Sequence, residues 1–185
     1  SIRQVKQTRL FIVIGMIILS CFIFPDLALL PQSLEQHYLD VRLLLQLPVC
    51  LLVFFLTFFK FYQSNTKIHQ IIICTAVLVL IYGNYWLILY CYQQQNFAFP
   101  YEGTVIYSLF VLFVFRIPFN YSLIFVLITL LGFAYLVFSY PIYGDTNQIS
   151  LGFVVSGLIV GLIGVYQIEG ALKQLAFSNQ KLAVI

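Results

Sequence analysis

Charge is what this sequence has least of. Asp, Glu, Lys and Arg make up 8% of its 185 residues, against roughly 25% in an ordinary soluble domain. A chain so poor in charge, 62% hydrophobic and with a mean hydropathy of +1.01, reads as an integral membrane protein. Catalytic constellations are missing as well. No GxSxG or HExxH occurs, and the two histidines, His37 and His69, fall on opposite sides of the expected bundle. Cys21, Cys50, Cys74 and Cys91 lie one to an apolar run without CxxC spacing, which makes them free buried thiols rather than metal ligands or a redox pair. No catalytic residue, metal, cofactor or nucleic-acid partner is expected. A cleavable signal peptide does not account for the pattern, because apolar runs recur to the C-terminus and no small-residue cleavage site follows the first. The chain does not open with Met and stops inside a periodic pattern, so it is expected to be a piece of a longer protein.

What is present is a series of apolar runs. A helix needs about 20 apolar residues to cross a bilayer core, and six stretches come close: Leu10–Phe24, Leu43–Phe59, Ile68–Tyr92, Tyr101–Phe115, Phe119–Tyr140 and Ile149–Ile168. The expected fold is therefore all-α, a bundle of six transmembrane helices over residues 1–168. Residues 169–185 begin a cytoplasmic signalling helix. Arg3, Lys6, Arg9, Lys60, Lys67, Arg116, Lys173 and Lys181 all fall on one side, which the positive-inside rule makes cytoplasmic. Asp26, Glu35, Asp40, Glu102 and Asp145 fall on the other, where Arg42 is the lone base, and both termini are then cytoplasmic. Lys60, Lys67 and Arg116 serve topology and contact with anionic lipid. The connections are short, so no domain is hidden between spans.

The runs lack a selectivity filter, a ring of polar pore residues, helices broken as in a transporter, and charge at the middle of a span. These absences argue against a channel or an ion-coupled carrier. Pro48 and Pro118 sit near expected helix starts, although Pro48 is also placed to kink span two. The last helix is more informative. Counting sevens from Val165 puts Val165, Leu172 and Asn179 at one core position, with Ile168, Leu175 and Leu182 at the other, a short coiled-coil seam suited to a parallel homodimer. The alternative is an amphipathic helix on the membrane surface. Upstream, Gly157 and Gly161 form GxxxG, Gly152 and Ser156 repeat the spacing, and Gly164 extends the narrow face. Close packing follows, against either a partner subunit or a neighbouring helix.

Three stretches carry a resemblance: RLLLQLPVCLLVFFLTF from Arg42 to Phe58, YEGTVIYSLFVLFVFRIPFNYSLIFVLITLLGFAYLVF from Tyr101 to Phe138, and YQIEGALKQLAFSNQKL from Tyr166 to Leu182. Together they resemble the six-helix N-terminal sensor modules of bacterial signalling cyclases. In those modules an Arg and then a Pro open the second helix, an aromatic-Gly segment opens the fourth, an Arg-x-x-Phe turn joins the fourth to the fifth, and the sixth runs into a signalling helix. The resemblance implies a sensor or receptor in the bacterial inner membrane, coupled to a cytoplasmic GGDEF diguanylate cyclase or, next, a class III adenylate cyclase. Six-helix quorum-sensing histidine kinases share the architecture and resemble the chain less. A small transporter or channel, and a passive dimeric anchor, stay open as other readings.

For a sensor, a small or lipophilic ligand is expected in the outer half of the bundle. Candidates are Arg42, Tyr82, Asn84, Tyr85, Trp86, Glu102, Tyr107 and Tyr135, aromatic walls with a few polar handles. Tyr82, Tyr85, Trp86 and Leu89 share a helix face by their spacing. Competing roles are an interfacial aromatic belt and interhelical hydrogen bonds. Arg42 is expected at the mouth of span two, paired with Asp40, Glu102 or Asp145 or binding an anionic or carbonyl-bearing ligand through its forked donors. His37 there is a weaker candidate for a pH sensor.

Overall fold

The structure is a computed structural model and describes residues 2–115 and 117–182, the side chains of residues 2–4 and 179–182 aside. Arg116, one of the bases that set the expected topology, lies outside the described residues. Every regular element among those described is helical: α1 (Ile2–Leu29), α2 (Gln32–Asp40), a π-helical turn (Val41–Gln46), α3 (Leu47–Leu56), the short α4 (Lys60–Ser64), α5 (Thr66–Gln95), α6 (Glu102–Val114), α7 (Phe119–Ser139), a 3-10 turn (Gly144–Thr146) and α8 (Asn147–Leu182). Among the described residues five stretches are long and apolar enough to cross a membrane, namely Val5–Leu29, Gln32–Leu56, Thr66–Gln95, Phe119–Ser139 and Gly144–Ser178. The expected fourth span is shorter. At 13 residues α6 extends about 20 Å, less than a bilayer core of about 30 Å.

Expected boundaries shift in instructive ways. The helix expected over Leu10–Phe24 runs from Ile2 to Leu29 and carries Pro25 inside it. The second span begins not at Leu43 but at Gln32, because α2, the π turn and α3 form one continuous helix. Its polar first stretch holds helical form by burying Leu34 and Tyr38. Pro48 therefore opens no helix. It is the second residue of α3, with Leu47 between it and the π turn, and its missing N–H falls where the chain has already abandoned regular α bonding. Pro118 does precede a helix, as the residue before α7. The loop KFYQSNTK folds α4 and then caps α5, Asn65 Oδ1 accepting from the Lys67 and Ile68 amides at 3.0 and 3.3 Å.

The core is one apolar cluster, built on α5–α8 residues such as Ile81, Leu87, Ile88, Val111, Phe133, Val154 and Leu158 and joined by Ile12 of α1, Leu34 and Tyr38 of α2 and Val53 of α3. Around it the perimeter stays apolar: Phe24 is 78% exposed, Phe138 77% and Leu44 74%. A belt of this kind is a liability in water and the natural outer surface of a bundle in lipid. Helix α1 is the least embedded of the long helices, with only Val5, Ile12 and Leu19 buried among its described apolar side chains.

The glycine face of α8 is taken up within the chain. A Cβ at Gly157 lies 2.8 Å from Val105 Cγ1 and one at Gly161 lies 2.6 Å from Leu112 Cδ1, while one at Gly164 meets the Phe113 ring. All three contacts are on α6, so of the two partners the sequence left open, the neighbouring helix is the one this face meets. The remaining small residues face open space, as at Gly152. Beyond Val165, which is buried, α8 runs on without a break, and Tyr166, Leu172, Leu175 and Phe177 are exposed. Ile168 is partly exposed at 38%. Asn179 and Leu182, expected on the same seam, lie in α8 with side chains outside the described residues.

Candidate functional site

Arg42 is not at the mouth of a helix. It sits about ten residues into the Gln32–Leu56 helix, roughly 15 Å along it at 1.5 Å per residue. It is 3% exposed. The π turn places it. Leu47 N–H bonds to Arg42 O rather than to Leu43 O, and this wider turn brings side chains four apart nearly over one another. Arg42 Nη1 donates to Gln46 Oε1 at 2.6 Å, and Gln46 Nε2 donates onward to Leu80 O at 2.9 Å, tying the turn to α5.

Three other helices complete the cluster. From the end of α1, Asp26 Oδ2 accepts from Arg42 Nη2 at 3.0 Å and from the Tyr38 hydroxyl at 2.6 Å. From α6, the Tyr107 hydroxyl accepts from Arg42 Nη1 at 2.8 Å and donates to no described group. From α5, Asn84 Oδ1 lies 3.5 Å from Gln46 Nε2. The Tyr38 ring faces the guanidinium, its centroid 5.1 Å from Cζ. Of the guanidinium nitrogens, Nε is the one buried without an acceptor. The expected partners Asp40, Glu102 and Asp145 are thus corrected to Asp26. Asp40 accepts from Gln36 Nε2 at 3.1 Å instead.

Beside this cluster lies a cleft of about 80 Å3, walled by Asp26, Arg42, Asn84, Glu102, Gly103 and Tyr107 with Phe22 and Phe99. Gly103 is there for closeness, since a Cβ on it lies 3.0 Å from Asn84 Nδ2. Glu102, at the start of α6, is exposed and makes no ion pair among the described residues. Across from it Tyr143 donates to Phe99 O at 2.8 Å. Burial, with the charge of Glu102 and then Tyr101 adding to it, pushes the Tyr143 hydroxyl well above the usual tyrosine range, so it remains a donor.

Of the eight candidates, Arg42, Asn84, Glu102 and Tyr107 are brought together here. The others are spent elsewhere. Tyr82 and Tyr85 turn toward α7 and donate to Ile128 O at 3.0 Å and Thr129 O at 2.8 Å. Trp86, exposed, donates from Nε1 to His37 Nε2 at 3.1 Å, with His37 stacked on Tyr90 at 3.7 Å between ring centroids. Tyr135 is exposed on the perimeter. Spacing had set Tyr82, Tyr85 and Trp86 on one face, yet Tyr85 is buried and Trp86 is not. Asp26, Tyr38 and Gln46 were missed in the sequence. The signal for Gln46 was its spacing of four from Arg42; for Asp26 it was an acid ending the first apolar run.

The α5–α7 contact is equally close. A Cβ on Gly132 lies 2.7 Å from Tyr85 Cε2 and 2.8 Å from the Tyr82 hydroxyl. Because both rings are held by their hydrogen bonds, Gly132→Ala is expected to cost about 1–3 kcal/mol as overpacking, read as a lower midpoint in denaturant unfolding of the detergent-solubilised protein.

Comparison with family models, with curated proteins and with solved structures found no match to this chain.

Proposed function

We propose that the chain is a membrane sensor module with the Arg42 cleft at its ligand end and α8 as its output. In this reading six helices cross the membrane, the short α6 among them, the termini are cytoplasmic, and the cleft faces outward. One observation carries it: α8 is 36 residues long, about 54 Å, and passes unbroken from a packed glycine face to a stretch whose apolar side chains stay exposed. Such a rod outreaches a bilayer core of about 30 Å.

The point where α8 leaves the bundle is fastened. Glu169 Oε2 accepts from the Phe119 amide at 3.0 Å, at the first residue of α7, and Glu169 Oε1 lies 2.8 Å from Lys173 Nζ. A carboxylate at a helix N-terminus is favourably placed, and here it joins the fifth apolar run to the rod. A ligand that prefers one packing of the bundle then biases the rod, since equal affinity for both packings shifts nothing. The exposed seam positions Ile168, Leu172 and Leu175 suit a second copy of the chain, and the cyclase resemblance favours a diguanylate cyclase, or else an adenylate cyclase, as the enzyme the rod controls.

Nucleotide synthesis by the full-length protein in inverted membrane vesicles tests this. Cyclic di-GMP or cyclic AMP should form, and Glu169→Ala should change the rate several-fold while the folded protein is retained. Synthesis of neither nucleotide rejects the output, and a rate untouched by Glu169→Ala rejects the route through α8.

A further inference from the structure

On the other side of Tyr107 from the polar cleft lies a second, apolar space of about 70 Å3 between α1, α3, α5 and α6. Its walls include Phe11, Gly15, Leu19, Val53, Ala76 and Phe110. Tyr107 is the one described residue on the walls of both spaces. An apolar space without polar partners does not hold water, and the helix closing it, α1, is the least embedded of the long helices. In a bundle immersed in lipid, the molecules at hand to enter past such a helix are alkyl chains.

The polar side specifies what such a chain carries at its end. Arg42 is already matched by Asp26 at 3.0 Å, and Glu102 adds a carboxylate with no ion-pair partner among the described residues. A further anion would therefore meet a wall of net negative charge. What the cluster leaves open is donors, the buried Arg42 Nε–H and the Tyr107 O–H. Unfilled donors in a wall that already carries surplus negative charge call for a neutral oxygen.

We infer that the site takes an alkyl-chain amphiphile with an uncharged oxygen head, the tail lying in the apolar slot beside Gly15 and the hydroxyl or carbonyl oxygen meeting Tyr107 and Arg42. The inference rests on reading the Arg42 cleft as the ligand end. Gly15 serves as the tail's clearance: a Cβ there lies 3.5 Å from Phe110 Cε1, so a larger side chain reaches across the slot.

Photolabelling the full chain in lipid nanodiscs separates the parts. The probe is a ten-carbon alcohol bearing a diazirine near its tail end, and the competitors are 1-decanol, decanoate and decane. Saturable labelling is expected on slot residues such as Phe110 and Val53, reduced several-fold by 1-decanol and far less by decanoate or decane. Gly15→Phe should abolish it, and Tyr107→Phe should weaken competition by decanol while leaving that by decane unchanged. Labelling confined to perimeter residues such as Leu131 and Phe138, or equal competition by all three compounds, overturns the inference. The chain's fold in Gly15→Phe is checked by its unfolding midpoint, and Ala76→Phe fills the slot from α5 should that variant fail to fold. If slot labelling holds while nucleotide synthesis does not respond to 1-decanol, the ligand class stands and the sensor reading falls.

Discussion

Arg42→Met is expected to lower the unfolding free energy by about 3–5 kcal/mol, the cost of stripping one partner from a buried ion pair. The reason is the number of groups one guanidinium satisfies. Its removal leaves the Asp26 carboxylate with only the Tyr38 hydroxyl, and leaves Gln46 Oε1 and the Tyr107 hydroxyl without their donor, all between packed helices. Asp26→Leu alone should be nearly as harmful, because it strands the guanidinium. The double variant should recover much of the loss, since an apolar pair often replaces a buried ion pair at little net cost. A double-mutant cycle on the solubilised protein measures the coupling; strictly additive losses would falsify the pairing. Arg42→Lys is not expected to rescue, since a single ammonium cannot reproduce the fork that reaches α1, α6 and its own helix at once.

The second large effect belongs to the glycine face. Gly157→Leu with Gly161→Leu is expected to separate α6 from α8, each substitution costing about 1–3 kcal/mol through forced side-chain shifts. The two sites differ in how they can relax. At Gly157 the obstacle is Val105, β-branched, buried and stiff, whereas at Gly161 it is the ends of Leu112 and Leu109, which have other rotamers. Gly157 should therefore be the costlier of the two. Cysteines placed on the facing surfaces of α6 and α8 report the separation by their loss of disulfide formation. An unchanged crosslinking yield in the Gly157→Leu protein would show that this face is not where the helices meet.

Much of this architecture was legible in the sequence, because apolar runs near bilayer length have few alternatives in lipid. All-helical structure and several helices long enough to span followed from that alone. Boundaries were harder. Gln32–Asp40 reads as a polar loop, and it is helical because Leu34 and Tyr38 reach the core from an otherwise wet face. The glycines of α8 announced a close approach, but spacing on one helix says nothing about which helix comes near.

The site was half legible for a similar reason. Arg42 stood out as the single outer base, and Tyr107 and Asn84 as polar handles among the aromatic candidates. Asp26 did not, because its contact with Arg42 depends on how the chain turns back at Leu30 and Pro31, which no periodicity encodes. Tyr82 and Tyr85 misled in the opposite direction. A tyrosine hydroxyl in lipid takes any nearby acceptor, and backbone carbonyls of α7 were closer than the cleft.

The wide turn at Val41–Gln46 holds one further lesson. A regular helix rotates by about 100° per residue, so a single residue added to or taken from this stretch swings everything before it in azimuth against everything after it. Leu44, which looks out at lipid, sits between Arg42 and Gln46, which look in. Chain length here acts as a selector switch: a sister sequence one residue shorter would keep the same arginine in its text and present it to a different neighbour.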